Sequence, residues 1–117
     1  MNTVIRRATR DDAGLILAMI AELAEYEKAL HEVVASQQDI ETSLFAAESK
    51  SEALICEIDG EAAGYAVFFT SYSTWLGKNG IYLEDLYVSP RFRGQKAGKT
   101  LLRHIAQLTV ERGCGRL

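Results

Sequence analysis

The sequence predicts a mixed α/β domain built around a largely antiparallel sheet, and three observations predict it. Two β-rich runs, residues 53–58 and 62–70, flank the tight-turn dipeptide Asp59-Gly60, a strong hairpin signal. Apolar residues recur at helical spacing in separate stretches before and after that hairpin. The chain of 117 residues is long enough for one core and too short for two, so the expectation is a single domain over residues 1–117.

In chain order, residues 3–8 read as a first strand. Thr9 then reads as a helix N-cap, with Asp12 three residues on as its box partner and Asp11 favouring the positive helix end. Ile16, Met19, Ile20 and Leu23 form one apolar stripe, which predicts a helix running to about Ala29. Ser36 with Asp39 is a second capping signature, and Ile40, Leu44 and Phe45 supply the apolar face of a shorter helix. After the hairpin, residues 71–80 are polar and glycine-containing and read as a loop. Residues 81–88 are rich in aromatic and branched side chains and read as a strand, stopped by Ser89-Pro90. Beyond Arg93, the residues Leu101, Leu102, Ile105, Leu108 and Thr109 mark a helix ending near Gly113. Residues 115–117 read as the start of a further strand. The predicted order is β-α-α-β-β-β-α-(β).

Composition narrows the function classes. A net charge of −3 argues against a general nucleic-acid binder, which presents a basic face. The longest near-apolar run, residues 62–69, is far below the roughly 20 residues of a membrane helix, so no membrane partner is expected. Arg6 and Arg7 lead into Ala-Thr-Arg-Asp-Asp rather than an apolar segment, so no secretory signal is expected and the cytoplasm is the default location. Cys56 and Cys114 are too few for a disulfide framework and have no histidine nearby in sequence to activate them. His31 and His104 are widely spaced, so no metal site is expected.

The chemistry concentrates in residues 81–99. There a strand runs into a basic, glycine-bearing loop that opens a helix. Unpaired N–H groups and the helix dipole at such an N-terminus suit a pyrophosphate. Gly94 and Gly98 allow close backbone approach, and Arg91, Arg93, Lys96 and Lys99 place positive charge around it.

The loop resembles the acetyl-CoA pyrophosphate motif of the GNAT N-acetyltransferase superfamily, Arg/Gln-x-x-Gly-x-Gly/Ala. Arg93 and Gly98 match its ends, and Lys96 stands where a glycine is usual. Residues 23–27, 75–78 and 82–85 are together similar to the spermidine/spermine and thialysine acetyltransferase branch. The resemblance implies a GNAT-like fold and acetyl-CoA as co-substrate, with direct transfer of its acetyl group to a primary amine of a small cationic substrate. It implies that Leu86, Tyr87 and Val88 offer backbone groups to the pantetheine arm. Arg93, Gly94, Gln95, Lys96, Ala97, Gly98 and Lys99 would hold the pyrophosphate. Glu84 would receive the amine proton, and Tyr26, Glu27, Trp75 and Asp85 would help bind the cation. It further implies a homodimer. It also implies that residues 1–117 are the N-terminal two-thirds of the full domain, with the C-terminal strands and helix, and the acid that protonates the leaving thiolate, beyond Leu117.

General chemistry agrees with that picture. An alkylammonium with a pKa near ~10.4 is not nucleophilic until it loses a proton. A carboxylate beside the thioester can bind the cation and take that proton. Read alone, Glu84 is a solvated strand carboxylate more often than a catalytic one, while Tyr26 and Glu27 are as readily surface residues at a helix end and Trp75 a packing anchor under its loop. The acidic run Glu22, Glu25, Glu27 is a solvated helix face or a rim that attracts a polyamine. A non-catalytic acyl-CoA-binding or regulatory module that kept the fold is the alternative, favoured by Lys96 and the short C-terminus.

Overall fold

A computed structural model describes residues 2–117. The elements are β1 (Thr3–Arg7), α1 (Ala13–Tyr26), α2 (Gln37–Phe45), β2 (Ser51–Ile58), β3 (Glu61–Ser73), β4 (Lys78–Val88) and α3 (Ala97–Glu111). Short 3-10 turns lie at Arg10–Asp12, Leu30–Glu32 and Pro90–Phe92. The four strands form one sheet in sequence order, and every neighbouring pair is antiparallel. The mixed α/β class and the element order thus agree with the sequence reading as far as α3.

The sheet buries both faces. On one, Leu54, Cys56, Ala66, Phe68 and Ile81 pack against Ala97, Leu101 and Ile105 of α3. On the other, Ala53, Ile55, Tyr65 and Tyr87 pack against Ala13, Ile16 and Met19 of α1 and Ile40 of α2. The period-2 pattern of the strands thus becomes a three-layer sandwich with a core on each side.

Local chemistry fixes the element ends. Ser36 Oγ accepts from the Asp39 N–H at 3.0 Å, and Asp39 Oδ2 accepts from the Ser36 N–H at 2.8 Å, a full capping box. Asp59 and Gly60 both take positive φ, 50° and 83°, as a type I′ hairpin turn requires. α1 stops at Tyr26, three residues short of Ala29. Lys28 adopts a left-handed φ of 59°, its N–H bonds Glu25 O, and the Ala29 N–H bonds Ala24 O. That is a Schellman closure with lysine in the place glycine usually takes. Gly113 closes α3 in the same way.

Two further expectations are corrected. Residues 71–80 are not all loop, because β3 runs on to Ser73 and β4 starts at Lys78, leaving a four-residue turn. The Gly77 N–H bonds Ser73 O at 2.9 Å, and the Leu76 N–H bonds Ser73 Oγ at 3.2 Å. Residues 115–117 form no strand. They lie along the start of β4, where the Gly115 N–H bonds Asn79 O and the Ile81 N–H bonds Arg116 O. Both numberings rise together, so this segment runs in the direction of β4. No helix among the described residues is long and apolar enough to cross a membrane, and no group of three or more His, Cys, Asp or Glu among them is placed to hold a metal ion.

Candidate active site

The site is organised by one irregularity in β4. Val67 pairs with Asp85 and Phe68 with Leu83, so Glu84 stands opposite no residue and is the extra residue of a β-bulge. Leu83 and Leu86 both pack on the α3 side although three positions apart. Strict alternation would put them on opposite faces, and the extra residue makes up the difference. Glu84 and Asp85 are therefore both turned away from the α3 core. Glu84 is exposed and Asp85 half-buried.

Asp85 is gripped from within the sheet. The Tyr65 hydroxyl donates to its Oδ2 at 3.1 Å. Burial pushes the Tyr65 phenol well above its ordinary range, and the Asp85 charge adds to that shift. A second tyrosine–carboxylate pair lies beside it. Tyr87 OH donates to Glu22 Oε1 at 3.0 Å, and Ser89 Oγ donates to the same oxygen at 3.0 Å. Burial, then the bond to Glu22, raises the Tyr87 pKa. The Tyr65 and Tyr87 rings are 6.3 Å apart and tilted by 55°.

From Leu86 onward β4 leads toward the loop before α3. Gly64 of β3 faces this stretch, and a Cβ there would collide with the Tyr87 carbonyl, so only glycine lets the strands approach. Arg93, Gly94, Lys96, Ala97 and Gly98 line a shallow recess of about 160 Å³ with Val88 and Phe92. Lys96 is the N-cap of α3 and gives no side-chain cap bond. The N–H groups of Ala97, Gly98 and Lys99 precede the first intrahelical bond, from the Thr100 N–H to Lys96 O, and are available to an anion. Gly94 has a φ of 86°. Gly98 does not need unusual φ. It is half-buried against Leu86 and Val88, whose methyls would lie 3.5 and 3.6 Å from an added Cβ. Lys96 takes a left-handed φ of 64°, which explains why glycine is usual there.

The structure thus gathers most of the residues singled out by sequence. Leu86, Val88 and residues 93–99 share the junction of β4 and α3. Arg93 is turned toward α1: its guanidinium stands 5.1 Å from the Tyr26 ring centre and 5.8 Å from that of Tyr87, and its Nε donates to Val88 O at 3.2 Å. Tyr26 and Glu27, at the end of α1, therefore border the same region. Trp75 does not join them. It sits in the β3–β4 turn, 96% exposed, at the far end of β4 from Val88, and it anchors nothing beneath that turn. Sequence reasoning missed Tyr65, Ser89 and the bulge, and it read Glu22 as part of an acidic face where the structure has it accepting from Tyr87 and Ser89. The signal for Tyr65 was a hydroxyl inside the apolar run 62–69, which needs a partner when buried.

Comparison with known proteins gives the family. The acetyltransferase (GNAT) family model matches residues 16–117. The thialysine N-epsilon-acetyltransferase of Bos taurus is 39% identical over 97% of this chain and 71% of its own length. That of Caenorhabditis elegans is 36% identical over 99% of this chain and 71% of its length. Among solved structures, a ribosomal-protein-alanine N-acetyltransferase from Brucella melitensis superposes with a TM-score of 0.82 at 22% identity, covering 99% of this chain and 77% of that one, a likeness of fold.

Proposed function

This chain belongs to the GNAT acetyltransferase family, and from that premise we propose that it moves the acetyl group of acetyl-CoA directly onto a primary amine of a small cationic substrate such as thialysine or a polyamine. The observation that carries this reading is the β4 bulge, which turns Glu84 and Asp85 off the sheet core on the strand that leads into the uncapped N-terminus of α3 at Lys96. The first feature suits a cationic amine and the second an anionic cofactor arm, and one strand joins them.

In this reading the loop 93–99 and the first turn of α3 hold the pyrophosphate through backbone N–H groups, with Lys96 and Lys99 adding charge. The backbone of Leu86, Tyr87 and Val88 pairs with the pantetheine arm along the sheet edge. The thioester then lies beside the bulge. Asp85, Glu27 and Tyr26 hold the substrate cation, and Glu84 accepts one ammonium proton directly or through water. The freed amine attacks the thioester carbonyl and a β4 N–H steadies the oxyanion; as the carbon–sulfur bond breaks, the nitrogen gives up its second proton and the thiolate takes one up through water, leaving the amide and CoA. We place the protein in the cytoplasm as a single-domain subunit of a homodimer; sedimentation at several concentrations tests the assembly.

The direct test follows thiol release from acetyl-CoA over a panel of diamines, polyamines, thialysine and lysine peptides. Saturable release with a small cationic amine is the expected result. Acetyl-CoA binding without release for any member would reject the reading.

A further inference from the structure

We propose that Tyr65 is a positioning residue for this transfer, acting through Asp85 to fix the carboxylate that receives the substrate ammonium; the proposal rests on the acetyl-transfer reading above. Its starting point is an oddity of composition. Residues 62–69 of β3 are otherwise hydrocarbon and glycine, yet Tyr65 stands among them fully buried, in the cluster that holds Ile16, Ile55 and Val67. A phenylalanine would fill nearly the same volume with no hydroxyl to satisfy.

The hydroxyl's partner explains the choice. It is neither a backbone carbonyl nor a structural ion pair, but a half-exposed carboxylate on β4, next to the bulged Glu84. An aspartate on an edge strand has freedom about two torsions. A bond from a ring that cannot move removes most of it and leaves the second oxygen for the substrate. The upward shift of the Tyr65 phenol keeps its proton in place at any ordinary working pH, so it is always a donor to Asp85 and never a competing charge.

Tyr65 is itself held. Its ring leans on Tyr87, whose hydroxyl is fixed by Glu22, and Glu22 also takes the Ser89 hydroxyl at the start of the cofactor loop. A run of contacts therefore joins α1 and the cofactor loop to β3 and ends on Asp85. The two neighbouring carboxylates of the bulge divide the work. Asp85, tied from below, holds the cation, while the untied Glu84 is free to follow the proton. Such preorganisation lowers KM for the amine without entering the chemical step.

The test is Tyr65→Phe in the thiol-release assay. The KM for the amine is expected to rise about tenfold, the scale of one lost hydrogen bond to a charged group. kcat should stay within about twofold, and the KM for acetyl-CoA should not move. On an Asp85→Asn background, adding Tyr65→Phe should have no further effect, because the tyrosine acts only through that carboxylate. An amine KM equal to wild type, whether or not the melting temperature falls, overturns the proposal and leaves acetyl transfer standing. So does a Tyr65→Phe penalty that persists undiminished beside Asp85→Asn. A wild-type protein that binds acetyl-CoA and acetylates no amine removes the underlying reading, and this proposal with it.

Discussion

The two faces of the sheet are built from the same strands and are put to different uses. On the α3 side the buried residues are almost all hydrocarbon. The buried hydroxyl of α3, Thr109, bonds Ile105 O within its own helix at 2.9 Å. On the α1 side the buried polar groups reach charged partners in other elements: Tyr65 to Asp85, Tyr87 to Glu22, and Asp12 to Arg6. The dry face fixes α3, and so the loop at its N-terminus, by packing along its length, with Arg112 at its far end tied to Glu52 of β2. The other face uses buried hydroxyls to aim carboxylates. Oily contact sets where elements lie, and paired polar groups set where individual oxygens point.

Breaking the dry face should have the largest effect. Leu101→Ala removes a fully buried side chain from the α3 core and should cost about 2–5 kcal/mol of stability in denaturant unfolding. A change below about 0.5 kcal/mol would show that this face is not the anchor described, since that is the scale of ordinary surface substitutions. Next is Glu84→Gln, which should lower kcat/KM by about 10²-fold while leaving stability and acetyl-CoA affinity nearly unchanged. Wild-type rates across the pH range would take the proton-accepting role from Glu84.

A smaller effect, readable by pH, comes from the ion pair on the α1 side. The hydrogen bond from Arg6, helped by the Thr9 N–H, holds the Asp12 carboxyl down at about 2. The folded state therefore binds this proton less readily than the unfolded chain. The stabilisation is fully present above the ordinary carboxylate value and is lost as the pH falls through about 2. Wild type should exceed Asp12→Asn by about 2 kcal/mol at neutral pH. That gap should close between about pH 4 and 2, and a constant gap would show that packing, not charge, secures this corner. The smallest effect expected is from Lys96→Gly in the loop before α3. Relief of the left-handed backbone should raise stability by about 0.5–1 kcal/mol, and loss of stability would mean that the Lys96 side chain holds the loop.

Much of the fold was legible because its signals are local. The Asp59-Gly60 turn, the Ser36–Asp39 box and the stripe from Leu101 to Thr109 each act within a few residues, and each appears where the residues place it. The end of α1 was misread because Lys28 closes the helix in a conformation that sequence assigns to glycine or asparagine. The β3–β4 turn was drawn too long because polar residues at an exposed hairpin end look like loop. In the site, residues 81–99 were legible as a strand–loop–helix unit. The Tyr65–Asp85 pair was not, since it joins residues 20 apart on different strands. The bulge was hidden by assuming one unbroken period of two. The odd spacing of Leu83 and Leu86, both apolar and both on one face, was its trace.

That odd spacing has a consequence for how the protein can change. A bulge is an insertion that the rest of the strand does not register: with or without the extra position, Leu83 and Leu86 meet the same layer, and Asp85 and Tyr87 the opposite one. The parity of the strand is conserved on either side of Glu84. The position that carries the proton-transfer proposal thus lies outside both cores, so substitution there is free of the volume constraints that bind Leu83, Leu86 and Tyr87. Chemistry at this spot can drift, sharpen or vanish while the sandwich around it keeps its shape.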